Sequence, residues 1–137
     1  DLLPAKIMED IVPNLIDELP LFFLIASLIE GESEFNGLSE LKHKESDRLS
    51  IMINNLQKLD VEVQLNDESL KIIGKKDRIF SDEVFDSHGD HRIAMTMLVA
   101  GLRSSEGLTI TNLECINTSF PEFIDQAKTL GFSFKNG

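Results

Sequence analysis

At 137 residues, 42% hydrophobic and 27% charged, the chain is long enough for one domain with its own core and has the balance of a globular protein in water. Its 24 acidic against 13 basic residues give a net charge of −11, which excludes general binding to nucleic acid or anionic membranes, since both need a basic surface. The lone cysteine, Cys115, excludes an internal disulfide and a Cys-based zinc site, and fits a reducing compartment.

The most apolar run, residues 21–29, is interrupted by Ser27 and falls short of the roughly 20 residues that span a bilayer. No basic stretch precedes an apolar one near the start, so no signal peptide is expected. The chain opens on Asp1 without an initiator Met, and is expected to be a fragment of a longer protein.

In chain order, residues 1–16 with Pro4 and Pro13 read as a connecting segment. Asp17-Glu18-Leu19-Pro20 starts a helix: Pro is tolerated in a first turn and acids there suit the helix dipole. Residues 21–29 are apolar on every side, which predicts a helix buried all round and ended by Gly31. A short strand is expected over 33–36, then a polar loop over 37–43. The recurrence of Leu49, Met52, Ile53 and Leu56 predicts an amphipathic helix over 45–58. Val61, Val63 and Leu65 alternate with polar residues, and 70–73 returns after a turn, which predicts a hairpin. A charged loop over 74–82 leads to a short strand at 83–85. The turn Ser87-His88-Gly89 precedes a second buried helix, from Asp90 to Leu102, whose residues from Ile93 on are mostly apolar. A strand follows over 108–112, then an amphipathic helix from Thr118 to Leu130 capped by Gly131, and a last strand over 132–135.

The order helix, strand, loop, amphipathic helix and strand occurs twice, offset by about 70–75 residues, as internal repeats do. Asp17 falls opposite Asp90, and 44–48 opposite 118–122. If the units pack as equivalents, their charged helix starts lie on one face.

Those starts carry the candidate chemistry. A helix N-terminus favours anions, so Lys and Arg placed there work against helix stability and suggest an anionic ligand. Taken singly, 44–48 reads as a solvated helix start with Ser46 as cap, Asp90 as an N-cap, His91 as a surface histidine and Asp17 as a dipole-compensating acid. Arg92 is different, because it enters an otherwise apolar helix and its head needs a partner; Arg suits forked binding of carboxylate or phosphate. Together, Lys44, Arg48 and Arg92 would neutralise a multiply charged substrate, Asp17 and Glu45 would exchange protons with it, and His91 would orient one of them. No Ser/His/Asp order, glycine-rich phosphate loop or metal-ligand spacing is present.

In order and spacing, Asp17-Glu18-Leu19-Pro20, Lys44-Glu45-Ser46-Asp47-Arg48, Ser87-His88-Gly89-Asp90-His91-Arg92-Ile93-Ala94-Met95 and Ser119-Phe120-Pro121-Glu122-Phe123 resemble the C-terminal part of the 5-enolpyruvylshikimate-3-phosphate synthase (3-phosphoshikimate 1-carboxyvinyltransferase) family. The resemblance covers nearly the whole chain. It implies an α/β (α+β) fold of repeated βαβαββ units, about two of the three units of one domain, with helix N-termini facing an active-site cleft. Residues 1–137 would then be a partial C-terminal domain whose N-terminal partner domain is absent, and the chain alone would show no turnover. The implied reaction moves the enolpyruvyl group of phosphoenolpyruvate to the 5-hydroxyl of shikimate 3-phosphate and releases phosphate, with no metal or organic cofactor.

By motif position, the resemblance implies that Asp17 is catalytic beside the shikimate hydroxyls and that Glu45 handles the proton at the methylene carbon of phosphoenolpyruvate. Lys44 would contact shikimate 3-phosphate together with Asp17. Arg48 and Arg92 would hold phosphoenolpyruvate, with Asp90 and His91 in support. A lysine contacts phosphoenolpyruvate in some members where this chain has Thr118, beside Ser119, so a substrate contact there is open. The alternatives are the related UDP-N-acetylglucosamine enolpyruvyl transferase and a catalytically silent binding module of the same fold. The expected compartment is the cytoplasm, or the plastid for a plant protein.

Overall fold

One complete βαβαββ unit is followed by the βαβα portion of a second in the computed structural model, which describes residues 2–135. The first unit runs through β1 (Lys6–Ile7), a short α1 (Val12–Leu15), α2 (Leu19–Ser27), β2 (Gly31–Phe35), α3 (Arg48–Lys58), β3 (Glu62–Asn66) and β4 (Ser69–Gly74). The second runs through β5 (Val84–Asp86), α4 (His91–Ala100), β6 (Thr109–Thr111), a short α5 (Glu114–Ser119) and α6 (Phe123–Thr129). The fold is α/β, as expected, and the repeat is visible in the strand pairing. β1 lies parallel to β2, and β5 lies parallel to β6, each pair joined through a helix.

The larger sheet has the order β1-β2-β4-β3, with β4 antiparallel to both neighbours. Ser33 pairs with Ile72 and Phe35 with Leu70 in register, so all four share a face, and all four are buried. That face meets the helices: the Phe23 ring of α2 stands edge-on to Phe35 at a centroid distance of 4.9 Å. α2 also packs against α3 and α4, and Leu19, Phe23, Leu49, Met52, Leu56, Ile93 and Met97 close one continuous core.

Local chemistry sets the helix ends. Asp47 caps α3 by accepting the Ser50 amide at 3.0 Å, and Asp90 caps α4 by accepting the Arg92 and Ile93 amides. Gly131 has a φ of +96° and its amide returns to Lys128, the expected close of the last helix. No helix among the described residues is long and apolar enough to cross a membrane.

Several expectations are corrected. Residues 1–16 are more than a connector: they supply β1, which extends the sheet edge, and α1, where Pro13 occupies a first-turn position. α2 is not buried all round, because Phe22 faces outward at 37% exposure where no described element covers it. α3 begins at Arg48, so Lys44, Glu45 and Ser46 lie outside it; a 3₁₀ turn at Ser39–His43 fills the expected loop. Thr118 and Ser119 end α5 and do not open α6. Residues 132–135 form no strand, since a strand needs a neighbour to take up its ladder bonds and none among the described residues does. Phe132 and Phe134 stack on each other there instead, with centroids 6.1 Å apart.

Candidate active site

The centre of the site is a buried guanidinium. Arg48 is the first residue of α3, one position after its cap, and its side chain is 1% exposed. Its Nε donates to Asp90 Oδ2 at 2.8 Å, its Nη1 to Asp17 Oδ1 at 2.9 Å and its Nη2 to Glu45 Oε2 at 2.5 Å. Three carboxylates from three separate segments are thereby drawn onto one cation. Asp17 comes from the turn before α2, Glu45 from the segment before α3, and Asp90 from the start of α4.

Asp90 is delivered by a tight turn. Its amide donates to the Ser87 carbonyl at 3.0 Å, and the two residues between, His88 and Gly89, have φ of +53° and +72°. Both lie in the left-handed region, which glycine adopts freely and which two central turn residues share only in a type I′ turn. Ser87 is buried and anchors the turn by donating to the Asn112 carbonyl at 2.7 Å and accepting from the Gly89 amide at 3.1 Å. The Asp90 carboxylate, fully buried, then does two things at once: Oδ1 caps α4, and Oδ2 takes Arg48.

The other cations sit at the rim. Lys44 Nζ lies 3.6 Å from Asp17 Oδ1. Arg92 extends from the first turn of α4 to Glu18 Oε1 at 2.5 Å, so the partner that its position demanded is the acid next to Asp17. Burial pushes the Asp17 carboxyl up, but the Arg48 hydrogen bond and the charges of Lys44, Arg48 and Arg92 outweigh it and leave it below the ordinary carboxylate value. Burial likewise acts against the charged forms of Asp90 and Arg48, and their mutual hydrogen bond and attraction win. Asp90 is held below its ordinary value and Arg48 above its own. Asp17 and Asp90 are therefore anions, and Arg48 a cation, at neutral pH.

The structure thus brings Asp17, Lys44, Glu45, Arg48 and Asp90 together, with Arg92 joined through Glu18. His91, half-buried as the first residue of α4, bonds neither Asp17 nor Glu45 among the described residues. Thr118 and Ser119 are exposed and join no member of the cluster; the Thr118 hydroxyl donates to the Cys115 carbonyl at 2.9 Å. Ser46, which the sequence offered only as a helix cap, belongs to the cluster: its hydroxyl donates to Asp90 Oδ2 at 2.8 Å. Ser46 and Asp47 are both cap-type residues, and nothing local in the sequence marks which of them turns toward residue 90. A groove of about 480 Å³ beside α3, lined by Asn54, Lys58, Asp86 and His88 among others, shares no residue with the cluster. No group of three or more metal-ligating side chains is found among the described residues.

One βαβαββ unit followed by the βαβα portion of a second, with three carboxylates gathered on one arginine, makes an α/β scaffold of the kind found in enolpyruvyl transferases. The enolpyruvyl transferase NikO from Streptomyces tendae shares the fold, with a TM-score of 0.70 at 17% identity over 96% of this chain and 29% of that one. The model of the family described as EPSP synthase (3-phosphoshikimate 1-carboxyvinyltransferase) matches residues 3–127, and the chain belongs to that family. It is 40% identical over 131 residues to the 3-phosphoshikimate 1-carboxyvinyltransferase of Magnetococcus marinus, covering 96% of this chain and 29% of the relative. It is 42% identical over 134 residues to that of Zymomonas mobilis, covering 93% and 29%. The EPSP synthase of Acinetobacter baumannii superimposes with a TM-score of 0.90 at 37% identity, over 96% of this chain and 31% of that one. The chain therefore spans under a third of the length of these relatives.

Proposed function

We propose that residues 1–137 are part of the C-terminal domain of a longer protein that transfers the enolpyruvyl group of phosphoenolpyruvate to the 5-hydroxyl of shikimate 3-phosphate. The observation that carries this reading is the convergence of Asp17, Glu45 and Asp90 on buried Arg48, with Lys44 and Arg92 at the rim. The supporting relatives are bacterial, and a cytoplasmic setting accords with the single free cysteine.

The reaction needs a proton donor at C3 of phosphoenolpyruvate, a base for the acceptor hydroxyl and fixed positive charge around both anions. Glu45, half-exposed at 53%, delivers the proton to C3, and C2 becomes electrophilic. Asp17, held ionised by its cations, accepts the hydroxyl proton as that oxygen bonds to C2. The tetrahedral adduct then expels phosphate, whose freed oxygen takes the proton held on Asp17, as C3 returns its proton to Glu45, which restores the double bond. Lys44 with Asp17 addresses shikimate 3-phosphate.

Arg48 and Arg92 address phosphoenolpyruvate. A guanidinium has five N–H donors, and Arg48 uses one on each of three carboxylates, which leaves two, one on each Nη. Because Arg48 is buried, the ligand anion reaches it by displacing Glu45 from Nη2, which also frees Glu45 for C3. Arg92 in turn exchanges Glu18 for the ligand. The remaining phosphate contacts belong to the other domain, so the isolated chain gives no turnover.

The test is phosphate release by the full-length protein with both substrates, and its Glu45→Gln variant. Release that requires shikimate 3-phosphate, and a kcat lower by roughly 10²–10⁴-fold in the variant, are expected. Release that instead requires UDP-N-acetylglucosamine, or none from the wild type, overturns the reading; a silent binding module predicts no effect of Glu45→Gln.

A further inference from the structure

Ser46 is left without a role by the chemistry above. It is half-buried, two residues before α3, and its carbonyl accepts the Arg48 amide at 2.9 Å. Its hydroxyl crosses 44 positions of sequence to Asp90 Oδ2. That carboxylate is completely buried and has about four acceptor sites. Four donors fill them: the Ser46 hydroxyl and Arg48 Nε on Oδ2, and the Arg92 and Ile93 amides on Oδ1.

We infer that Ser46 is a positioning residue for the reaction: by completing the shell of Asp90, its hydroxyl fixes Arg48 against the N-terminus of α4, which carries Arg92. The inference rests on the proposed function for the reaction it serves. The two segments belong to different repeat units, and their contact at Asp90 sets the distance between the two arginines assigned to one anion. With the hydroxyl removed, a buried acceptor site is emptied, and Asp90 Oδ2 is held by Arg48 alone where two donors held it before. The Arg48 fork is then held less firmly at its Nε end, and the Nη donors that take phosphoenolpyruvate once Glu45 is displaced are less well aimed. Stability alone does not explain the contact, because α4 retains both amide bonds of its cap without Ser46.

Ser46→Ala and Ser46→Thr in the full-length protein test this. Loss of a hydrogen bond to a charged acceptor is expected to raise KM for phosphoenolpyruvate about tenfold in Ser46→Ala, with kcat and KM for shikimate 3-phosphate little changed. Ser46→Thr keeps the hydroxyl and is expected to restore KM. An unchanged KM in Ser46→Ala overturns the assignment. So does a rise that tracks the loss of thermal stability in both variants whether or not the hydroxyl is present. Absence of turnover in the wild type is failure of the proposed function and leaves the positioning claim to a second readout, the NMR resonance of Arg48 Nε–H in the ligand-free proteins. It is expected to be protected from exchange in wild type and Ser46→Thr, and to shift and exchange faster in Ser46→Ala. The same signal in all three overturns the inference.

Discussion

Asp90 and Arg48 form a buried ion pair in which the carboxylate simultaneously caps a helix, Nε to Oδ2 at 2.8 Å and both side chains at or below 1% exposure. Nothing between them is solvent, so the pair is neither screened nor dispensable. Its worth lies in what is left when one member goes.

Replacing Arg48 by Met keeps the stem and removes the charge, which strands the Asp90 carboxylate in the core. Breaking a buried pair from one side costs about 3–5 kcal/mol. Arg48→Lys is not conservative here, because an ammonium cannot reach three carboxylates in the fork geometry of a guanidinium. Thermal unfolding of the full-length protein is expected to rank wild type above Lys and Lys above Met, with activity lost in both variants.

Acid should weaken the same pair. The folded-state pKa of Asp90 lies below its ordinary 3.8 because Arg48 and Ser46 outweigh burial. Stability from a depressed carboxyl pKa is fully present above the unfolded value and is lost as pH falls through the folded one. The contribution is thus intact at pH 6 and declines only below about pH 4. Asp17 shifts in the same direction but is half-exposed, and solvent screening reduces its share. Asp90→Asn is expected to be less stable than wild type at pH 6, with the gap narrowing toward pH 3 in urea unfolding.

Glu18 competes for the arginine assigned to the ligand. Its bond to Arg92 is a solvent-exposed pair, worth about 0–1 kcal/mol to stability. Glu18→Gln should therefore unfold close to wild type while lowering KM for phosphoenolpyruvate, since Arg92 no longer trades a carboxylate for the substrate. Steady-state kinetics at low and high salt check this, because the advantage over wild type should shrink as salt screens the Glu18 charge.

Gly74 ends β4 against the end of α2. A Cβ there would sit 2.0 Å from the Ile29 carbonyl oxygen and 2.1 Å from that of Ala26. Both are backbone atoms and cannot swing aside. Gly74→Ala is expected to cost about 2–4 kcal/mol, read as a drop in thermal midpoint, with KM values unchanged in whatever fraction remains folded.

Much of this architecture was legible in the residues. The periodicity of Leu49, Met52 and Leu56 marked α3, which came out with that face in the core, and the apolar content from Ile93 to Leu102 marked α4, which buries Ile93, Ala94, Met97 and Ala100. The hairpin of β3 and β4 followed from alternation and a turn. The elements that escaped are the shortest. β1 has two residues and exists because β2 offers an edge to pair with, and α5 is too brief for a helical period to show. Residues 132–135 alternate as a strand does, yet alternation alone supplies no ladder partner.

The site divides in the same way. Sequence by itself singled out the candidates for the chemistry: Asp17, Lys44, Glu45, Arg48, Asp90 and Arg92 stand in motifs whose types and spacing are local properties of the chain. It also determined that two charged helix starts recur in two similar units. Only the tertiary structure decided who meets whom. Arg48, read as one cation of a charged helix start, is buried and bonded to three acids, because the turn before α2 and the turn before α4 close over it. Ser46, read as a cap, gave that place to Asp47 and bonded Asp90 across 44 positions. Spacing along a chain reports which side chains share a helix face. Contacts between segments this far apart depend on how the helices pack, and that is set by the whole core at once.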